Sequence, residues 1–70
     1  MRLSTRHQLS GAVTEVNLGS VMATVKVRLD GGDQIVTASI TKEAVEELGL
    51  TVGTPATVLV RSTEVMLAVD

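Results

Sequence analysis

Hydrophobic and polar positions alternate along most of the chain and change period once. Val21, Ala23, Val25, Val27 and Leu29 alternate with Met22, Thr24, Lys26 and Arg28. This period-two run predicts a strand over 21–29, with one buried face and one mostly polar face. Asp30, Gly31, Gly32 and Asp33 follow as a strong hairpin turn, and residues 34–40 (QIVTASI) form the return strand. Upstream, residues 9–17 (LSGAVTEVN) read as a first strand, with Gly11 as a bulge or a point of close approach. Asn17 to Ser20, which include Gly19, read as a turn. Over 41–48 the period lengthens, and Ile40, Ala44, Val45 and Leu48 fall on one helical stripe. Thr41 is a good N-cap, Glu43 sits where the helix dipole favours acid, and Gly49 is a natural C′ residue. Ile40 and Val45 occupy the N′ and N4 positions of a hydrophobic staple. Residues 51–55 (TVGTP) form a turn, and Ala56, Val58 and Val60 alternate with Thr57, Leu59 and Arg61 in a further strand. After a break at 62–64, residues 65–69 (VMLAV) read as a last strand, too apolar for a solvated edge.

The predicted order is β-β-β-α-β-β. It corresponds to an all-β, OB-like five-stranded Greek-key barrel with one short α-helix between strands 3 and 4. No Ser/Gly/Pro-rich linker, low-complexity run or internal repeat divides the chain, so residues 1–70 read as a single domain. Composition agrees: twelve Val, nine Thr and two Ile, residues suited to pleated, half-buried surfaces, make up about a third of the sequence. A 70-residue chain buries only about 60% of its unfolded surface. With no cysteine to form a disulfide and no Phe, Tyr or Trp to fill a core, oligomerisation is the remaining source of stability. The apolar runs are too short for a membrane helix, and the basic start MRLSTRHQLS lacks a signal-type apolar region. The expectation is a soluble, cytoplasmic module with no membrane partner.

Charge narrows the function further. The net charge is −2 and the pI about 5.2, whereas a general nucleic-acid binder is basic. With no aromatic side chain there is also no platform for stacking bases, so no nucleic-acid partner is expected. The charge is uneven: Arg2, Arg6, Lys26 and Arg28 against Glu15 give +3 over residues 1–28, and the remainder carries −5. Catalysis finds little support. There is one histidine, no acid lies near Ser4 and His7 in sequence to orient an imidazole, and one histidine with no cysteine cannot build a catalytic metal site. A small oxyanion suits the residues better, because such a site wants converging N–H and O–H donors with one or two cations. Three places supply them: Ser4-Thr5-Arg6-His7, Thr41 at the helix start, and Arg61-Ser62-Thr63 after the fourth strand. Each also has a purely structural reading, as a frayed terminus, a helix cap and a surface charge beside a turn.

Taken in order, the stretches Ser4–Gly11, Val36–Thr41, Val45–Gly53 and Arg61–Asp70 resemble, at matching spacing, the molbindins, small molybdate-binding proteins of the Mop family, and the related TOBE modules. Ser4-Thr5-Arg6-His7-Gln8-Leu9-Ser10-Gly11 is close to the family's S-A-R-N-Q-L-x-G opening. Val36-Thr37-Ala38-Ser39-Ile40-Thr41 is similar to its strand entering the helix, and Val45-Glu46-Glu47-Leu48-Gly49-Leu50 and Val52-Gly53 follow at matching spacing. Residues 61–70 (RSTEVMLAVD) are similar to its K-[AS]-[ST]-[DE]-V-M-x-A-V-D ending. The resemblance implies an OB-like barrel whose first strands are exchanged within a homohexamer, a trimer of dimers. It also implies molybdate or tungstate held between subunits, stored or buffered without catalysis and without an organic cofactor. Carried over, the main site falls on Ser4, Arg6, Arg61 and Ser62, with Thr41 contributed by a neighbouring subunit. Thr5 and His7 are further candidate contacts, and a second class of site falls on the Gly19-Ser20-Val21 turn. Two positions depart from the pattern: Arg61 stands where the family usually has Lys, and His7 where it usually has Asn. A histidine gaining charge beside an anion would make binding stronger at lower pH. The alternative is a non-catalytic TOBE-like interaction or regulatory module of a molybdate transport system.

Overall fold

The computed structural model describes residues 7–70. Four strands and one helix follow in the order β1 (His7–Leu18), β2 (Met22–Leu29), β3 (Ile35–Thr41), α1 (Lys42–Leu48) and β4 (Pro55–Val60), with a single 3-10 turn over Ser62–Glu64. The strands form one antiparallel sheet in the order β3-β2-β1-β4.

β1 holds this sheet together by changing partners along its length. Its first half pairs with β4, from His7 opposite Val60 to Ala12 opposite Pro55. Its second half pairs with β2, from Gly11 opposite Leu29 to Leu18 opposite Ala23. Only Gly11 and Ala12 pair on both sides. Gly11 is therefore a close-approach point: a Cβ there would clash with the Arg28 carbonyl oxygen and lie 2.8 Å from Val27 Cγ1. The bulge lies elsewhere, between Val13 and Glu15, where the β1–β2 register shifts by one residue. It lets Val13 and Val16, an odd number of residues apart, both reach the core, and a bulge bends and twists its strand. At the same point the Val13 N–H donates to Thr54 O (2.9 Å) and the Gly53 N–H donates to Val13 O (2.8 Å).

The core is the buried cluster Val13, Ala23, Val25, Val27 and Val45, with Val16, Ile40, Leu50, Ala56 and Val58 packed against it. The alternation expected of β2 holds through Ala23, Val25 and Val27, but Val21 stands outside the strand and is exposed. α1 closes one side through Val45. Its N-cap is Thr41, whose Oγ1 accepts from the Ala44 N–H at 3.1 Å. Its C-terminal end is Gly49 in the left-handed region at φ 65°, where the Gly49 and Leu50 N–H groups donate to Glu46 O and Val45 O.

The fifth strand expected over 65–69 does not form. Among the described residues, 65–70 belong to no helix or strand, and Met66, Leu67 and Val69 are each more than nine-tenths exposed. A strand needs a paired edge. The Val65 N–H is used by Ser62 O (3.4 Å) in closing the 3-10 turn, and among the described residues no ladder receives the segment beyond it. In place of a five-stranded barrel, the chain forms a curled four-stranded sheet with an apolar trough of about 550 Å³, lined by residues that include Val25, Ala38, Ile40, Leu50, Ala56 and Val58. The chain exposes 5683 Å², whereas a compact monomer of its mass exposes about 4,200 Å² by surface–mass scaling.

Gly11→Ala places a methyl group against backbone at the one place where β1 pairs on both sides. It is expected to lower stability by about 1–3 kcal/mol, read from the denaturant midpoint. An unchanged midpoint would mean that the strands separate freely at Gly11.

Candidate functional site

The described candidates fall into two clusters. The first lies where β1 begins and β4 ends. His7 opens β1 opposite Val60, and the chain passes through Arg61 directly into the 3-10 turn at Ser62. Ser62 Oγ lies 3.2 Å from His7 Nε2, a contact that joins residues 55 apart in sequence. His7, Arg61 and Ser62 are all exposed. A guanidinium, an imidazole and a hydroxyl thus share one end of the sheet. Ser4, Thr5 and Arg6 lie outside the described residues; they immediately precede His7 in the sequence.

The second cluster lies where β1 ends and β3 passes into α1. Thr41 pairs with Met22 across the β2–β3 ladder, and the Lys42 N–H donates to Val21 O at 2.7 Å, fixing the start of the helix to the preceding turn. Ser20, Val21, Thr41, Lys42, Glu43 and Glu46 line an open cleft of about 470 Å³. Sequence reasoning placed Thr41 and the Gly19-Ser20-Val21 turn in two separate classes of site, and the fold makes Ser20 and Val21 neighbours of Thr41. It also adds Lys42, which directly follows the cap. The Gly19 N–H donates to Met22 O at 2.8 Å, so its hydrogen bond serves the turn. Because Thr41 Oγ1 accepts from the helix backbone, its own O–H remains a donor to whatever lies in the cleft.

Electrostatics separates the two clusters. One lysine and two glutamates line the helix-side cleft, so it supplies donors without the net positive charge that a dianion requires. The other end carries the Arg61 guanidinium, with Glu64 in the 3-10 turn that follows it. Lys26, in the basic half of the sequence, is engaged on the outer face: its Nζ lies 3.6 Å from Glu15 Oε2, which also accepts from Asn17 Nδ2 at 2.6 Å. Among the described residues no group of three or more His, Asp or Glu side chains could hold a metal ion. None of the described helices is long and apolar enough to cross a membrane.

The clusters lie at opposite ends of β1. From His7 to Leu18 the twelve residues of β1 would rise about 36 Å if the strand were straight. The bulge and curl shorten that distance, but hydrogen-bond reach is about 3 Å. No hydrogen bond links the two clusters among the described residues.

Comparison with known proteins gives a consistent set of relatives. Residues 3–67 match the family model described as the TOBE domain. Molybdenum-pterin-binding protein 3 of Clostridium pasteurianum is 42% identical over 67 residues, which are 96% of this chain and 97% of that protein. A molybdate-binding protein from Sporomusa ovata has a solved structure with a TM-score of 0.89, 32% identity and coverage of 97% of this chain and 98% of that one. The cytoplasmic molybdate-binding protein ModG, solved with molybdate bound, has a TM-score of 0.82 and 42% identity over 89% of this chain and 43% of its own. The molybdenum transport protein ModE of Azotobacter vinelandii is 40% identical across the whole chain, which covers 26% of that protein.

Thr41 contributes to the fold before it meets any ligand. Thr41→Val is expected to reduce stability by about 1 kcal/mol through loss of the helix cap, while Thr41→Ser stays near the parent value. Thermal melts of the two variants decide this, and equal melting of the valine and serine forms would contradict the capping role.

Proposed function

The chain belongs to the TOBE domain family, and on that premise we propose that it binds molybdate between copies of itself. Arg6, Arg61, Ser4 and Ser62 of one copy supply cations and hydroxyl donors. Thr41 of a neighbouring copy, flanked by Ser20 and Val21, supplies the hydroxyl that caps its helix. Thr5 and His7 border the first group. The observation that carries this reading is the separation of the two donor clusters to opposite ends of β1.

Two further considerations support a shared site. All the described candidates are exposed in the single chain, and an anion held in water-accessible surroundings gains little from each hydrogen bond. Closure by a second copy desolvates the donors and strengthens every contact. The uncovered trough and the apolar residues 65–69 require cover of the same kind. The homo-oligomer is a hexamer, a trimer of dimers, as the resemblance implies. Some relatives carry a molybdenum–pterin in their names. The absence of Phe, Tyr and Trp favours the bare oxyanion over a pterin ring, which aromatic faces would hold.

Molybdate and tungstate share charge and shape, and the site as proposed accepts both. The role is storage or buffering in the cytoplasm, in which hydrogen bonds and guanidinium charge hold the ion. A second reading has its own support, since a region similar to this chain forms about a quarter of the transport protein ModE. Under it, the chain is an interaction or regulatory module that docks on a transport component.

Isothermal calorimetry tests the site. Arg6→Ala and Arg61→Ala are each expected to weaken molybdate binding tenfold or more, about 1.4 kcal/mol, with the oligomer intact. Thr41→Val is expected to weaken binding, and Thr41→Ser to restore it. Parent affinity in both arginine variants would remove them from the site, and a stable chain with no molybdate affinity would leave the docking reading.

A further inference from the structure

Resting on the molybdate reading above, we propose that His7 is a positioning residue that makes anion binding sensitive to pH by setting the direction in which the Ser62 hydroxyl points. The observation is the 3.2 Å contact between His7 Nε2 and Ser62 Oγ. His7 is the one histidine in the chain, and the contact falls directly beside Arg61.

A serine hydroxyl has one hydrogen to give and lone pairs to receive. When Nε2 carries a hydrogen, it donates to Ser62 Oγ, and the serine O–H turns away to donate to an oxyanion. When Nε2 is bare, the serine O–H donates to the ring, and Oγ presents lone pairs to the anion, which opposes binding. A neutral imidazole has its hydrogen on one nitrogen or the other. The imidazolium has one on each, so only the anion-receptive arrangement survives, and a positive charge is added next to Arg61.

The elements facing His7 are the end of β4 and the 3-10 turn, since the β1–β2 ladder begins only at Gly11. Among the described residues their charged groups are Arg61 and Glu64, one of each sign. An asparagine in place of His7 keeps a polar amide that does not change charge with pH. A leucine donates nothing.

Calorimetry of molybdate binding at about pH 5.5 and about pH 8 spans the range over which histidines change charge. The parent oligomer is expected to bind about tenfold more tightly at the lower pH. His7→Asn is expected to bind with the same affinity at both, and His7→Leu weakly at both. A parent affinity that does not change with pH overturns the inference. So does a His7→Asn variant that keeps the parent's pH dependence, or a His7→Leu variant that binds as tightly as the parent. A parent that binds molybdate at neither pH overturns the molybdate reading itself, an outcome distinct from the other three.

Discussion

β1 pairs with β4 through its first half and with β2 through its second, and this division shapes the rest of the molecule. It requires a residue with no side chain at the crossover, which Gly11 provides, and an extra residue between Val13 and Glu15 to keep the buried face turned inward. It curls the sheet around a small valine-rich core and sends the two clusters of polar donors to opposite ends of one strand. A short barrel strand could have brought them together. This long bent one places them at its two ends, which is the basis for proposing an ion site shared between copies.

The same geometry accounts for the surface the chain leaves uncovered. Its exposed area exceeds that of a compact monomer of equal mass by about 1,500 Å², more than the roughly 800 Å² that one partner contributes to a standard protein interface. The trough and the apolar C-terminal residues contribute to it. Burial of this surface and of the ion site would then be a single event. By mass action, an ion that binds only the assembled form stabilises that assembly.

Much of this was legible in the sequence. The alternation in 21–29, the Asp-Gly-Gly-Asp turn, the Thr41 cap and the Gly49 stop are local signals, and each appears in the structure within one or two residues of its expected place. The bulge shows in the sequence only as Val13 and Val16, which cannot share a face of a regular strand, while the glycine at 11 marks the close approach to β2. The fifth strand was not legible as a fault. Residues 65–69 have the composition of a strand, but strand formation depends on an available edge, and among the described residues no edge receives them. For the site, residue types gave Arg61, Ser62 and Thr41. The pairing of His7 with Ser62 and the closeness of Ser20 and Val21 to Thr41 come from contacts distant in sequence, which no local pattern encodes.

The central claim is that the site exists only between copies. Native mass spectrometry of the desalted protein, alone, with molybdate and with sulfate in parallel, addresses it most directly. The account predicts an oligomer that takes up a defined number of molybdate ions and no sulfate, with no ion retained by any single chain. A monomer that binds molybdate would contradict it, because one chain would then suffice to build the site.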